Sequence, residues 1–285
     1  MKPILIIGAT GNIGRQVITQ LLAAQVRVRA LTRNPEAADL PAEVELVRGD
    51  LAAPETLNAV LAEVERVFIV WTAPLTAVAP AIERIARYAP HVVLFTAPHQ
   101  TPHPFFQQPN PIATLHKELE RRVQEAGLRH TILRPGMFAL NAKVWWSKRI
   151  RAGTEVIHWP YADAATQPTD ERDMGAVAVR ALCEAGHEGK NYIITGPQSL
   201  TQAEQVRILG EAIGRPLRLE EITPEEARTE LQTVIPAPAI NMLLNAWQAA
   251  LGQPAYVTST VEEITGRPAH TFREWASHNA AAFRR

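Results

Sequence analysis

The stretch that most constrains this chain is its first strand and the turn behind it, Pro3-Ile4-Leu5-Ile6-Ile7-Gly8-Ala9-Thr10-Gly11-Asn12-Ile13-Gly14. Ile4 to Ile7 is an unbroken apolar run, which suits a parallel strand buried on both faces. Gly8, Gly11 and Gly14 follow at intervals of three, and Arg15 to Leu22 then carries apolar residues at helical spacing. A strand, a glycine turn and a helix N-terminus together make an anion site. Glycines let backbone N–H groups approach a phosphate, and the helix end adds partial positive charge. By that logic Gly8 makes the tight turn, Gly11 admits a pyrophosphate and Gly14 lets helix and strand pack closely. Incidental glycines in an ordinary strand–helix turn would be the plainer reading, but their place directly between strand and helix argues against it.

The chain then repeats this alternation. Val26–Thr32 alternates apolar and polar residues and reads as a second strand, ending at Arg33-Asn34-Pro35. An NAD site would place an acidic residue near this strand end. Thr32 and Arg33 stand here instead, and a guanidinium suits the 2′-phosphate of NADP or the face of its adenine. Otherwise Arg33 is a solvated turn residue. Val44–Leu51 is a third strand. Its Asp50 either accepts from an adenine amino group beside Leu51 or caps the helix expected over Pro54–Leu61. Val67–Trp71 is a fourth strand, followed by Thr72-Ala73-Pro74, where a cofactor would pass the sheet edge. A helix over Ala79–Tyr88 and a fifth strand over His91–Thr96 come next.

Gln100–Pro111 holds four prolines and two phenylalanines and reads as a loop. Phe105 and Phe106 either line a pocket or pin that loop down. Ala113–Ala126 is a helix ended by Gly127, and His130–Gly136 is a sixth strand stopped by Pro135. Strands alternating with helices predict an α/β fold, a doubly wound parallel sheet of the Rossmann type with right-handed crossovers.

After Met137 the pattern changes. Trp145 and Trp146 sit in a helical stretch ending near Gly153. A short strand over Glu155–Pro160, a helix over Asp170–Ala185 with Asp173 near its start, a strand over Asn191–Thr195 and a helix over Thr201–Ile213 follow. From Leu217 the chain reads as mainly helical. In Asn241–Leu251, Met242, Leu243, Leu244 and Trp247 either wall an apolar pocket or form plain core. The expected division is a nucleotide-binding domain over 1–153 and a segment over 154–285 that completes the sheet and forms a smaller, mainly helical substrate lobe.

With 46% hydrophobic residues the chain can build a sizeable core. Its 29 basic and 29 acidic side chains balance, so nothing favours nucleic acid or an anionic membrane as partner. Cys183 is the one cysteine, which excludes a disulfide framework and a cysteine-rich metal site. No apolar run reaches the length of a membrane span. The first strand begins at once, so no signal peptide is expected and the expected location is cytoplasmic.

Gly8–Gly14, Thr32-Arg33-Asn34-Pro35, Gly49-Asp50-Leu51 and His130–Phe138 resemble the NmrA-like, atypical short-chain dehydrogenase/reductase superfamily. So does the closing segment Ile264-Thr265-Gly266-Arg267-Pro268 with Phe272 and Trp275. The resemblance covers most of the chain and is weakest over Gln100–Pro111. It implies NADP(H) lying over Gly8, Thr10, Gly11, Asn12, Ile13, Gly14 and Arg33, with Asp50 and Leu51 at the adenine. The nicotinamide end would pass Thr72, Thr96, Pro135 and Gly136. The family includes quinone reductases, isoflavone- and lignan-type reductases, and regulators that sense NADP(H) without catalysis.

Ordinary short-chain dehydrogenases use a tyrosine, a lysine four residues on, and a serine from the preceding strand. On the Ala113–Ala126 helix His116 and Glu120 stand at that spacing, and Thr96-Ala97 replaces the serine. The resemblance places His116 where the isoflavone-reductase branch has a lysine and the quinone-reductase branch a histidine. A histidine titrating near neutrality can donate to a carbonyl or quinone oxygen, and Glu120, one turn away, could orient it. Against this, His116 could be a surface residue and Glu120 an ion-pair partner of Arg121 or another neighbour. Lys117 faces elsewhere on the helix. His99 and His103 are alternative donors, and no third ligand at a convincing spacing makes them a metal site.

The expected function is an NADPH-dependent reductase moving hydride to an apolar, flat quinone-, enone- or imine-like molecule, with a homodimer as a further expectation. Hydride transfer to a quinone needs little acid help, so loss of the tyrosine–lysine pair is tolerable there. The alternative is an NADP(H) sensor of the NmrA type, and a non-redox isomerase or lyase on the same fold also stays open.

Overall fold

The structure is a computed structural model that describes residues 2–88 and 90–284, with the backbone alone at Pro111 and Pro238. In chain order the main elements are β1 (Ile4–Ile7), α1 (Asn12–Ala23), β2 (Val28–Thr32), β3 (Glu45–Arg48), α2 (Leu57–Leu61), β4 (Arg66–Val70), α3 (Val78–Ala86), β5 (His91–Phe95), α4 (Pro111–Glu125) and β6 (His130–Pro135). They continue with α5 (Leu140–Arg151), β7 (Val156–Trp159), β8 (Ala165–Thr166), α6 (Glu171–Cys183), β9 (Asn191–Ile194), β10 (Leu200–Thr201), α7 (Gln202–Ile213), β11 (Arg218–Glu221), α8 (Pro224–Leu231), α9 (Ala237–Ala249), α10 (Thr260–Thr265) and α11 (Phe272–His278).

Seven strands pair in parallel in the order β3-β2-β1-β4-β5-β6-β9. This is the expected doubly wound sheet. The strand order reverses between β1 and β4, so the crevice at their carboxyl ends is where a ligand belongs. One face buries Ile4, Ile6, Phe68, Val93 and Leu133 under α1 and α6, through Ile13, Val17, Met174 and Val177. The other buries Leu5, Ile7, Val67, Ile69 and Leu94 under α2, α3 and α4, through Leu57, Val60, Ile82, Leu119 and Val123. Burial on both faces explains why these strands read as unbroken apolar runs.

A third core lies among α5, α7, α8, α9 and α11. Trp145, Trp146, Trp159 and Trp247 meet there with ring centroids 5.5 to 6.0 Å apart, mostly edge to face. Such pairs contribute about 0.5–1.5 kcal/mol each beyond area burial. This core draws on α5, which precedes residue 153 in the chain. The closing segment is fastened to α6 by Asp173, which is fully buried. Asp173 accepts from the His270 backbone N–H and ring Nδ1, both at 2.7 Å, and pairs with Arg267 at 2.9 Å.

Three expectations need correction. The stretch after Leu217 is not helical at once, because Arg218–Glu221 pairs in parallel with β7. Gln100–Pro111 is not a plain loop. Pro104–Gln107 forms a turn of 3-10 helix, the His103 Nε2 donates to the Pro254 carbonyl at 3.0 Å, and the Asn110 side chain caps α4 two residues earlier than expected. Asp50 does not cap α2; its carboxylate accepts the Ala52 N–H at 2.9 Å. No helix among the described residues is long and apolar enough to cross a membrane.

Candidate functional site

A groove of about 510 Å³ opens at the carboxyl ends of β1, β2, β3 and β4. The glycine turn forms one wall of it. Gly8 has φ +82, a left-handed conformation that favours glycine, and a Cβ there would meet Val70 at 2.8 Å. A Cβ on Gly14 would lie 2.2 Å from the Gly8 carbonyl oxygen, so helix and strand approach only because it is absent. Gly11 is the N-cap of α1, with no side-chain cap and no acidic residue in the first turn. The first-turn N–H groups are therefore left for a ligand. The residues present fit a dinucleotide.

Gly8, Thr10, Gly11, Arg33, Asp50, Leu51 and Thr72 line this groove. Ile13 and Gly14 are buried behind it and offer only backbone, and Asn12 is exposed as the first residue of α1. Arg15 also lines the groove, which the sequence reading missed. Its Nε donates to the Thr10 carbonyl at 3.1 Å, and its guanidinium pairs with Asp39 at 3.7 Å. The signal was present, since Arg15 follows the last motif glycine at the helix start.

Val70 lines both this groove and a second cavity of about 460 Å³ on the other side of β4. Pro135 and Gly136 line that second cavity rather than the groove. Its walls are largely apolar: Phe95, Phe105 and Phe106, Met137, Phe138 and Trp145, with Met242, Leu243 and Ala246 from α9. Both readings of α9 hold, each for one face, because Leu244 and Trp247 are buried in the third core. Thr96, His99 and His116 supply polar atoms to the cavity, with the amides of Gln108, Asn110 and Asn141.

Of the two readings of Glu120, the ion-pair reading holds, with Arg134 as the neighbour. Glu120 pairs neither with Arg121 nor, by any hydrogen bond, with His116. Arg121 binds Glu118 and Glu125 on the outer face of α4. Glu120 is buried against Arg134 of β6, with Nη2 2.5 Å from Oε2 and Nε 3.0 Å from Oε1. The Thr96 hydroxyl donates to Glu120 Oε1 at 2.7 Å. Its proton is thereby committed, so Thr96 faces the cavity as an acceptor only. His99 donates through Nδ1 to the Ala97 carbonyl at 2.9 Å, and its Nε2 stands 3.6 Å from Glu120 Oε2 without a hydrogen-bond partner.

His116 does not titrate near neutrality. Burial, reinforced by the neighbouring His99 and opposed by Glu120, pushes it down to about 4. It is a neutral imidazole at pH 7, and its Nδ1 is buried without a partner. It can offer one N–H and one lone pair, not an imidazolium proton. His99 is also lowered, mainly by burial. Lys117 is exposed, outside the cavity. Among the described residues no group of three His, Cys, Asp or Glu side chains is placed to hold a metal.

Two relatives match nearly end to end. The chain is 36% identical to a (4-alkanoyl-5-oxo-2,5-dihydrofuran-3-yl)methyl phosphate reductase of Streptomyces griseus, covering 98% of this chain and 99% of the relative. It is equally 36% identical to an NAD(P)H azoreductase of Xenophilus azovorans, with the same coverage of both chains. The fold superposes on an NADPH-dependent quinone oxidoreductase of Escherichia coli with TM-score 0.81 at 23% identity, covering 96% of this chain and 98% of that one. The profile of the NmrA-like family matches residues 1–276. This chain is a member of the NmrA-like family.

Proposed function

We propose that this protein is an NADP(H)-dependent reductase acting on a flat, apolar quinone-, enone- or imine-like molecule. The observation that carries the reading is the meeting of the phosphate-binding groove with an apolar cavity at Val70. The named activities of the two relatives, both reductases, support it.

The first-turn amides after Gly11 would hold the diphosphate and Arg33, with Arg15, the 2′-phosphate. Asp50 and Leu51 would flank the adenine, and Thr72, Pro135 and Gly136 the nicotinamide end. When bound, NADPH supplies the hydride. The chain's own part is to position the acceptor and exclude water. Phe105, Phe106 and Trp145 present flat apolar surface, and α9 closes the far wall. The neutral His116 donates a hydrogen bond to the acceptor oxygen or nitrogen on which charge develops. Thr96 cannot, because its hydroxyl proton goes to Glu120. Glu120 acts one step removed, by fixing Thr96 and Arg134.

The test is titration calorimetry with NADPH, NADP and NADH, followed by NADPH oxidation against quinones, enones and azo dyes. Turnover that falls in His116→Ala with NADPH binding retained supports the reading. Tight binding with no turnover on any acceptor would make the protein a sensor. No nucleotide binding would overturn the reading altogether.

A further inference from the structure

The cavity is bounded by twenty-odd side chains, yet none of those described is aspartate, glutamate, lysine or arginine. The groove next to it, in contrast, is lined by Arg15, Arg33, Asp39 and Asp50. Glu120 and Arg134 lie behind Thr96 and neutralise each other, and Lys117 on α4 is exposed and outside the cavity lining. Both imidazoles, His99 and His116, have their charged forms disfavoured by burial. The helix N-termini at the cavity are also taken. The Asn110 side chain accepts the Ile112 N–H at 2.9 Å at the start of α4. The buried Glu171 carboxylate accepts the Leu140 N–H at 2.7 Å at the start of α5. Among the described residues that line the cavity, no cation, free helix end or imidazolium remains to receive an anion.

Resting on the reductase reading, we infer that the cavity selects uncharged acceptors and rejects anionic ones, phosphate esters and sulfonates included. A carboxylate, sulfonate or phosphate moved into such a cavity loses its hydration and gains no counter-charge. The Streptomyces relative is named for a phosphate-bearing substrate. The cavity of the present chain offers such a phosphate no charged partner among its described lining residues, so a neutral acceptor is expected here.

The experiment compares 1,4-naphthoquinone with its 2-sulfonate, first as substrates with saturating NADPH, then as ligands by calorimetry with saturating NADP+. The expected kcat/KM ratio favours the neutral quinone by at least about 100-fold, mostly through KM, with a matching difference in Kd. Equal or better use and binding of the sulfonate would overturn the inference. Met242→Lys puts an ammonium on the cavity wall at a half-buried position of α9. It should shift the ratio at least about tenfold toward the sulfonate, and an unmoved ratio counts against the inference. If neither quinone is reduced but the neutral one binds preferentially, the reductase reading fails and the charge selection stands.

Discussion

Arg134 and Glu120 form a two-pronged ion pair between β6 and α4, with side chains only 7% and 5% exposed. It binds one edge of the apolar cavity to the sheet, because Thr96 donates into the same carboxylate. A buried pair of this kind contributes little net stability, yet breaking it leaves a bare charge. Glu120→Leu should therefore cost about 3–5 kcal/mol in urea denaturation. Adding Arg134→Met to that variant should recover most of the loss. A Glu120→Leu variant as stable as the parent would show that the pair is not desolvated.

The motif glycines separate folding from binding. In Gly14→Ala the new Cβ would press on the Gly8 carbonyl at 2.2 Å and the Ala9 Cα at 2.8 Å, both backbone. The expected cost is about 2–3 kcal/mol, with NADPH affinity lost as the turn is displaced. Gly11→Ala meets only the Gly8 oxygen at 3.4 Å, and its φ of −78 suits any residue. It should stay within about 1 kcal/mol of the parent while weakening NADPH binding. Thermal unfolding beside calorimetry reads both quantities. Equal losses of stability in the two variants would refute the division of roles.

What the sequence made legible is what short-range chemistry decides. The glycine turn, the apolar runs of β1, β4 and β5, and the Gly127 stop after α4 each follow from a few adjacent residues. Glu120 shows the limit. Its partner Arg134 is set by the pairing of β5 with β6, which puts the Thr96 N–H on the Leu133 carbonyl at 2.8 Å and brings both strands under α4. Helix spacing alone pointed Glu120 at His116. Likewise Asp173 finds His270 across 97 residues. β11, with the sequence Arg-Leu-Glu-Glu, has too little apolar pattern to read as a strand and becomes one by pairing with β7.

The proposed reading makes cofactor preference turn on Arg33. It lines the groove beside Thr32 and Asn34, and Arg48 donates to its carbonyl at 3.1 Å, which holds the turn in place. Among the described residues none binds its guanidinium, which can meet a phosphate in a charge-assisted contact worth about 1.5–3 kcal/mol. Arg33→Ala should thus weaken NADPH about 10- to 100-fold and NADH only a few-fold. Equal losses for both nucleotides in calorimetry would move the 2′-phosphate elsewhere, with Arg15 the next residue to change.

Acid sensitivity of the fold follows from His91, on β5 at the end of the sheet far from the cavity. The Thr131 hydroxyl donates to the His187 carbonyl at 2.8 Å, so His91 Nε2 must donate to Thr131 at 3.0 Å. That leaves Nδ1 buried without an acceptor, with no place for a second proton. Burial, opposed by Glu188, accordingly pushes His91 down to about 4 from its ordinary 6.5. The folded value lies below the unfolded one. Between about pH 6.5 and 4 the unfolded chain takes up a proton that the folded chain refuses, so stability is full above 6.5 and falls with pH in that window. His116 adds to the same slope for the same reason. His91→Gln keeps a donor for Thr131 and removes the titration. Urea midpoints measured from pH 7 to 4.5 should therefore fall less steeply in His91→Gln than in the parent, and parallel curves would refute the assignment.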